Sequence, residues 1–133
     1  MTNLLDNGGK IAKTYDLQQR TKEYAKNAIT FAKRIPETTI TKILISQFVR
    51  SATSIGANYC EADNAESIKD FIHKTGICKK EAREAEYWLE LIGYTLPILE
   101  KDASVLKAEA RELVLIFNAI IKTSNKNLIA IND

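Results

Sequence analysis

The sequence contains little proline, glycine or cysteine and no long apolar run. Only two of its 133 residues are proline and five are glycine, which is typical of a chain built mostly from helices. No apolar run approaches the roughly 20 residues that a transmembrane helix needs, so we predict no membrane partner. The first ten residues are polar and lack the apolar centre of a secretory signal, and we therefore expect a cytoplasmic location.

The scarcity of cysteine and histidine restricts the chemistry that the chain can perform. Cys60 and Cys78 lie far apart on presumed helices, where we expect reduced thiols packed as small apolar groups. A di-iron centre needs a Glu-x-x-His motif on each of two helices, and the one related motif here is Asp70-x-x-His73. His73 and Cys78 would point to different sides of a helix, which excludes a nucleophile pair. No P-loop or dinucleotide-binding glycine pattern is present, so we predict no catalytic residue, metal, cofactor or enzymatic activity.

The residues that are abundant indicate one globular domain with nearly balanced charge. Hydrophobic residues make up 45% and charged residues 27% of the chain, and the formal net charge is +2. A chain of this length is long enough to bury a core as a single domain. Its mildly basic balance permits an anionic partner but is weaker than the charge pattern of a dedicated nucleic-acid-binding protein.

Four amphipathic stretches predict the fold. Apolar residues recur at alternating spacings of four and three along each stretch, as on one face of an α-helix. The stretches run from 15 to 34, from 37 or 38 to 62, from 68 to about 95, and from 103 or 104 to about 122. Short connections between them predict an all-α fold, an antiparallel up-down-up-down four-helix bundle over residues 15–123. We expect a mobile N-terminal arm at residues 1–14 and a C-terminal tail at residues 124–133.

The second and third helices are expected to meet at a tight corner. Asp63 and Asn64 disfavour a helix interior because their side chains compete for backbone hydrogen bonds. Ser67 has the chemistry of an N-cap, and Asp70 follows three residues later as the acidic member of a capping box.

The second helix has more apolar surface than a four-helix domain can cover. Its main face comprises Ile40, Leu44, Phe48, Ala52, Ile55, Tyr59 and Ala62, and Ile43, Ile45, Val49 and Gly56 widen that face. A helix that is apolar over more than half its circumference must be covered from several sides. This excess predicts that a second copy of the chain packs against the helix.

Polar residues on one side of the second helix form a candidate site. Arg50, Ser54, Asn58 and Glu61 are spaced by four, four and three residues, and the third helix offers Lys74, Glu81 and Glu84 as partners. These residues either bind a ligand between helices or form a satisfied polar seam that fixes helix register or subunit packing. We favour the seam because buried charges are retained when they are paired, and we expect Arg50 to pair with a carboxylate of the third helix.

Two groups of basic residues are candidates for nucleic-acid binding. Lys22, Lys26 and Lys33 form a stripe on the first helix with Arg34 beside it, and Lys79, Lys80 and Arg83 cluster on the third helix. A solvated face with interspersed acids is the alternative. We expect any binding to RNA or DNA to be weak, tolerant of sequence and lost by about 200 mM salt.

Tyr87 and Trp88 either stack on bases or, as we favour, fill a bundle end or a subunit contact.

Several segments of the second and third helices resemble a known family. They are Arg50-Ser51-Ala52, Ser54-Ile55-Gly56-Ala57-Asn58, Glu61-Ala62, Asp70-Phe71, Lys80-Glu81-Ala82, Glu84 and Tyr87-Trp88-Leu89. The pattern is similar to that of four-helix-bundle proteins first noted in intervening sequences of bacterial 23S rRNA genes. The resemblance implies a bundle that assembles into a homopentamer. It also extends to the accessory variability determinants of diversity-generating retroelements, pentameric barrels that bind a reverse transcriptase and nucleic acid. Those proteins are markedly basic, whereas this chain is not.

These observations together predict a non-enzymatic, oligomeric binding or scaffold protein that binds nucleic acid weakly if at all. The alternative is an accessory subunit of a reverse transcriptase or another protein machine.

Overall fold

A computed structural model describes residues 5–6, 10–11 and 16–132 of the chain. Two-residue strands β1 (Leu5–Asp6) and β2 (Lys10–Ile11) pair antiparallel. The other elements are α1 (Leu17–Ala32), α2 (Thr39–Asp63), α3 (Ile68–Thr95), a 3₁₀ turn (Pro97–Leu99) and α4 (Glu100–Asn132). Apart from the two strands, the predicted mobile arm at residues 1–14 lies outside the described residues.

The four helices form the predicted all-α bundle. α3 packs between α2 and α4, while α1 packs on α2 and, less extensively, on α4, so that α1 and α3 are diagonal to each other. The core runs through the centre of the bundle along the apolar faces of all four helices. Its largest fully buried side chains include Tyr24, Phe48, Tyr59, Leu89 and Phe117.

Side-chain caps fix where three helices begin. Asp16 accepts a hydrogen bond from the backbone of Gln19 at the start of α1. Thr38 and Thr41 form a reciprocal capping box at the start of α2. Ser67 Oγ accepts from Asp70 N at 3.0 Å, which confirms the predicted N-cap of α3.

The predicted ends of helix four are wrong at both termini. The 3₁₀ turn after Pro97 leads directly into α4 at Glu100, where two acidic side chains, Glu100 and Asp102, complement the helix dipole. At the other end, residues 124–127 are polar but contain no proline or glycine, so nothing interrupts helix propagation. The helix continues to Asn132 through most of the segment predicted as a tail.

The predicted excess of apolar surface on α2 is present at one of the four positions that were predicted to widen its apolar face, namely Ile43. Ile40 and Ile43 are 63% and 60% exposed. The prediction that Ile40 lies on the main apolar face is wrong, because the buried face of α2 begins with Thr41 and Leu44, and Ile40 lies beside that face. Ile45 and Val49 are half-buried against the core. At Gly56 the absence of a side chain allows close packing, since a Cβ atom there would lie 3.0 Å from Thr21 Oγ1 of α1.

The two cysteines have different surroundings. Both are free thiols, and Cys78 is buried in the core as predicted. Cys60 is exposed, so the prediction that it packs as an apolar group is wrong, because its position on α2 faces away from the core. Within residues 16–132, no helix combines the length and apolar character needed to span a bilayer.

Candidate functional site

An ion-pair cluster joins α2 to α3 at the predicted seam. Arg50 Nη2 donates to Glu84 Oε1 at 2.6 Å and to Glu81 Oε1 at 3.2 Å. Arg50 Nη1 lies 3.4 Å from Glu81 Oε2, so one guanidinium serves two carboxylates. The expected pairing of Arg50 with a helix-three carboxylate is confirmed.

Arg50 and Glu84 each favour the charged form of the other. The hydrogen bonds from Arg50 to Glu81 and then Glu84 raise the pKa of the guanidinium above its ordinary value. Burial alone would raise the pKa of Glu84. Hydrogen bonds from Arg50 and Trp88, together with the charge of Arg50, outweigh burial and hold that pKa below its usual range. Glu81 is buried, and its pairing with Arg50 compensates for the loss of solvent.

The remaining seam residues are satisfied locally. Ser54 Oγ donates to the backbone oxygen of Arg50 at 2.7 Å, and Asn58 Nδ2 donates to that of Ser54 at 2.8 Å. Glu61 pairs with Lys74 at 3.0 Å, and this hydrogen bond raises the pKa of Lys74. The structure therefore groups Arg50 with two glutamates and Glu61 with Lys74, instead of joining all the seam residues in one site.

Sequence reasoning missed the part that Trp88 plays in the seam. Its Nε1 donates to Glu84 Oε2 at 3.4 Å, and its ring meets that of Tyr87 edge-on at 5.0 Å between centroids. The four-residue spacing of Glu84 and Trp88 was the available signal, since such pairs are neighbours on a helix. Trp88 is half-buried, whereas Tyr87 is 56% exposed.

The basic stripe on α1 is partly neutralised by acids. Lys26 lies 3.6 Å from Glu23, and Arg34 Nη2 contacts Asp102 of α4 at 2.6 Å. The other two members, Lys22 and Lys33, are exposed.

The basic cluster on α3 faces another part of the surface. Lys79 Nζ donates to Asn118 Oδ1 of α4 at 3.1 Å, and Lys80 and Arg83 are exposed. Arg83 lines a shallow groove between α3 and α4 with Tyr87 and Arg111. Because α1 and α3 are diagonal in the bundle, the two basic groups do not merge into one patch.

The candidate reactive groups among the described residues are two free thiols, of which Cys60 is exposed, and the imidazole of His73. No set of three or more metal-ligating side chains among them is placed to hold an ion. Burial raises the pKa of the Cys78 thiol to about 12, which makes it a poor nucleophile at neutral pH. His73 is exposed. The charged side chains of the seam are paired with one another across α2 and α3.

Comparison with known proteins agrees with this fold. A family model described as 23S rRNA-intervening sequence protein matches residues 13–119. A crystal structure from Bacteroides thetaiotaomicron VPI-5482, described as a protein with unknown function from the S23 ribosomal protein family, superposes with a TM-score of 0.71. That protein is 35% identical, and the match covers 79% of this chain and 97% of the other. Proteins with curated descriptions gave no match. From the extent of the family match, the chain belongs to the 23S rRNA-intervening sequence protein family.

Proposed function

We propose that this protein is a non-enzymatic scaffold that assembles from several copies through the outer side of α2 and α3. The surface in question, here called the α2–α3 outer face, lies around the Arg50–Glu84 ion pair. It comprises the exposed side chains of Ile40, Ile43 and Tyr87 and the half-buried side chains of Trp88 and Leu91. A ring of five copies is the arrangement that the family resemblance implies.

The observation that carries this proposal is the apolar surface that stays exposed after the four helices have packed. Ile43 lies seven residues before Arg50 on α2, and Trp88 and Leu91 follow Glu84 by four and seven residues on α3. Residues at these spacings share a helix face. Because Arg50 and Glu84 contact each other, the apolar residues beside Arg50 on α2 and those beside Glu84 on α3 lie on the same side of the bundle. Exposed apolar side chains grouped around polar residues are a common sign of a protein-binding surface.

The α2–α3 outer face combines charged and apolar side chains, and this combination supports a second copy of the same chain as its occupant. The seam carries charge of both signs within an apolar surround, so two copies can meet there without leaving a charge unpaired. A role as accessory subunit of a reverse transcriptase or another protein machine is the alternative proposal, in which the assembled surface binds that partner.

A charge substitution in the outer face tests the proposal. Ile43→Glu places a carboxylate in the apolar contact and is expected to lower the native mass while leaving the helix content measured by circular dichroism unchanged, since Ile43 lies outside the core. Lys42→Glu is the matched control, because Lys42 is the neighbouring exposed residue on α2. An unchanged mass for Ile43→Glu would overturn assembly through this face.

A further inference from the structure

Positive charge and an exposed isoleucine share the outer side of α1. Lys22 and Lys33 are exposed, and Ile29 between them is 43% exposed. Steps of seven and four residues keep these three side chains within about 40° of one another around the helix. No ion pair of Lys22 or Lys33 is recorded in the described part of the chain. The three residues are here called the α1 outer face.

The ion-pair cluster on the α2–α3 outer face carries one negative charge in excess. Glu81 and Glu84 share the single guanidinium of Arg50. No second cation contacts either carboxylate among the described residues, although Lys80 lies one turn before Glu84. Glu81 is buried, whereas the side chain of Glu84 is 35% exposed. A carboxylate offers about four acceptor positions, so Glu84 can accept from a further cation while it keeps its contact with Arg50.

The buried tyrosine of α1 relates the heights of α1 and α3, which run in the same direction. Burial, and then the charges of Glu109 and Glu86, raise the pKa of Tyr24, so its hydroxyl lies within electrostatic reach of Glu86 on α3. Lys22 precedes Tyr24 by two residues, and Glu84 precedes Glu86 by two. Lys22 and Glu84 are therefore at similar heights along the bundle, although they lie on different sides of it.

We propose that the α1 outer face of one copy packs against the α2–α3 outer face of the next copy. In this contact Lys22 pairs with Glu84 of the neighbour, and Ile29 packs against the neighbour's Ile43 and Leu91. This inference rests on the proposed function, since it names the second surface of the contact proposed there.

The spacing of charged and apolar residues agrees on the two faces. Ile29 follows Lys22 by seven residues on α1, and Leu91 follows Glu84 by seven residues on α3. Both intervals rise about 10 Å along helices that run in the same direction. Copies arranged around an axis parallel to the helices are not shifted along that axis, so residues at similar heights meet. When Lys22 lies beside Glu84, the two apolar groups therefore also lie side by side.

Charge favours this contact over one of the α2–α3 outer face with itself. A two-fold contact would bring together two clusters that each carry excess negative charge, and like charges in an interface are costly. The α1 outer face supplies positive charge at that place. Because α1 and α3 are diagonal in the bundle, one copy can use both faces at once and contact two neighbours. A contact between two different faces repeats from copy to copy and closes a ring when the rotation allows it.

A charge reversal on α1 tests the ion pair. Lys22→Glu places a second carboxylate beside Glu84 of the neighbour and should lower the native mass, measured by light scattering, towards that of one chain. The helix content should stay the same, because Lys22 is exposed. Lys122→Glu is the matched control, since it reverses an exposed lysine on α4 outside both faces and should leave the mass unchanged. An unchanged mass for Lys22→Glu would overturn the pairing.

Cross-linking tests the contact without changing its charge. In the full-length chain carrying Cys60→Ser, which removes the exposed thiol, Ile29→Cys and Ile43→Cys are introduced together and treated with a short bis-maleimide. Both positions are exposed and lie outside the core. The double variant should give a ladder of linked chains on a denaturing gel that ends at the number of copies in the ring. Each single variant is a control and should remain one chain.

The outcomes separate this contact from the proposed function. Dimers from either single variant would show that like faces meet, and would overturn the inference. If no ladder forms while Ile43→Glu still lowers the native mass, the contact with α1 fails and assembly through the α2–α3 outer face stands. A monomeric wild type would overturn both proposals.

Discussion

At the residue scale, two buried threonines on the core faces of their helices, Thr21 and Thr75, differ in their hydrogen bonding. Thr21 Oγ1 donates to the backbone oxygen of Leu17 at 2.7 Å. Thr75 is fully buried, and its hydroxyl has no hydrogen-bond partner among the described residues. An unsatisfied buried hydroxyl is destabilising, because it has lost its contacts with water and gained nothing in exchange.

Replacing the unpaired hydroxyl with a methyl group should therefore stabilise the protein. Thr75→Val is expected to raise the free energy of unfolding by about 1 kcal/mol, measured by urea denaturation. Thr21→Val is the control. It is expected to lower that free energy by a similar amount, because it removes the hydrogen bond from Thr21 to the backbone oxygen of Leu17. A loss of stability in both variants would show that Thr75 is hydrogen-bonded in solution.

The lowered pKa of Glu84 predicts a pH-dependent contribution to stability. An unfolded glutamate titrates near pH 4.3, whereas Glu84 in the folded chain releases its proton at lower pH. Its pairing with Arg50 therefore stabilises the fold above about pH 4.3, and this stabilisation is lost as the pH falls through the folded-state pKa.

The substitution Glu84→Gln should reveal this contribution. We expect it to lower the urea midpoint at pH 7 and to have a smaller effect at pH 3, with fluorescence of Trp88, the single tryptophan, as the readout. Glu90→Gln is the matched control, because Glu90 is an exposed carboxylate on the same helix with no ion pair recorded in the described part of the chain. An effect of Glu84→Gln that grows towards acid pH would contradict the assignment.

At the scale of the elements, two glycines in helix interiors should respond oppositely to alanine. Alanine favours a helix over glycine by about 1 kcal/mol. At Gly76 of α3 a Cβ atom would meet nothing within 4 Å, so Gly76→Ala should stabilise the chain by about that amount. At Gly56 a Cβ atom would lie 3.0 Å from Thr21 Oγ1, and overpacking of this kind costs about 1–3 kcal/mol.

We therefore expect Gly56→Ala to be neutral or destabilising by up to about 2 kcal/mol, as α1 shifts away from α2. Thermal melts of the two variants side by side provide the measurement. Stabilisation by Gly56→Ala equal to that by Gly76→Ala would mean that α1 and α2 pack less closely than the structure shows.

Helix positions were predictable from the sequence to the extent that local chemistry determines them. Ser67 caps α3, and Leu96-Pro97 follows its last helical residue, Thr95, so both ends of that helix could be predicted from short-range signals. The end of α4 could not be predicted in this way. Polar residues such as Asn125 and Asn127 favour a stop only weakly, and a helix without a breaking residue tends to continue.

The candidate site was predictable in part for the same reason. The spacing of Arg50 on α2 and of Glu81 and Glu84 on α3 gave the faces on which they lie, and the pairing followed once the helices were antiparallel. An apolar groove that is lined by Phe71 of α3 and by Ile116 and Ile120 of α4 was not predictable, because it depends on how these two helices pack against each other.

At the scale of the whole molecule, the separation of the basic groups limits nucleic-acid binding. Lys22 lies on α1 and Lys33 directly after it, whereas Lys80 and Arg83 lie on α3, so one copy can contact few phosphates at a time. We expect a mobility-shift assay at 50 mM salt to show weak binding without sequence preference, which disappears by about 200 mM. Lys80→Glu with Arg83→Glu should weaken it further. Binding that withstands salt or selects a base sequence would contradict this expectation.

The native mass of the wild-type protein in solution tests the central claim most directly. One chain has a mass of 14.9 kDa. If the apolar side chains of the α2–α3 outer face bind other copies, light scattering at micromolar concentration will give a mass several times that value, and Ile43→Glu will reduce it. A stable species of 14.9 kDa, with Ile43 accessible to solvent, would contradict the account.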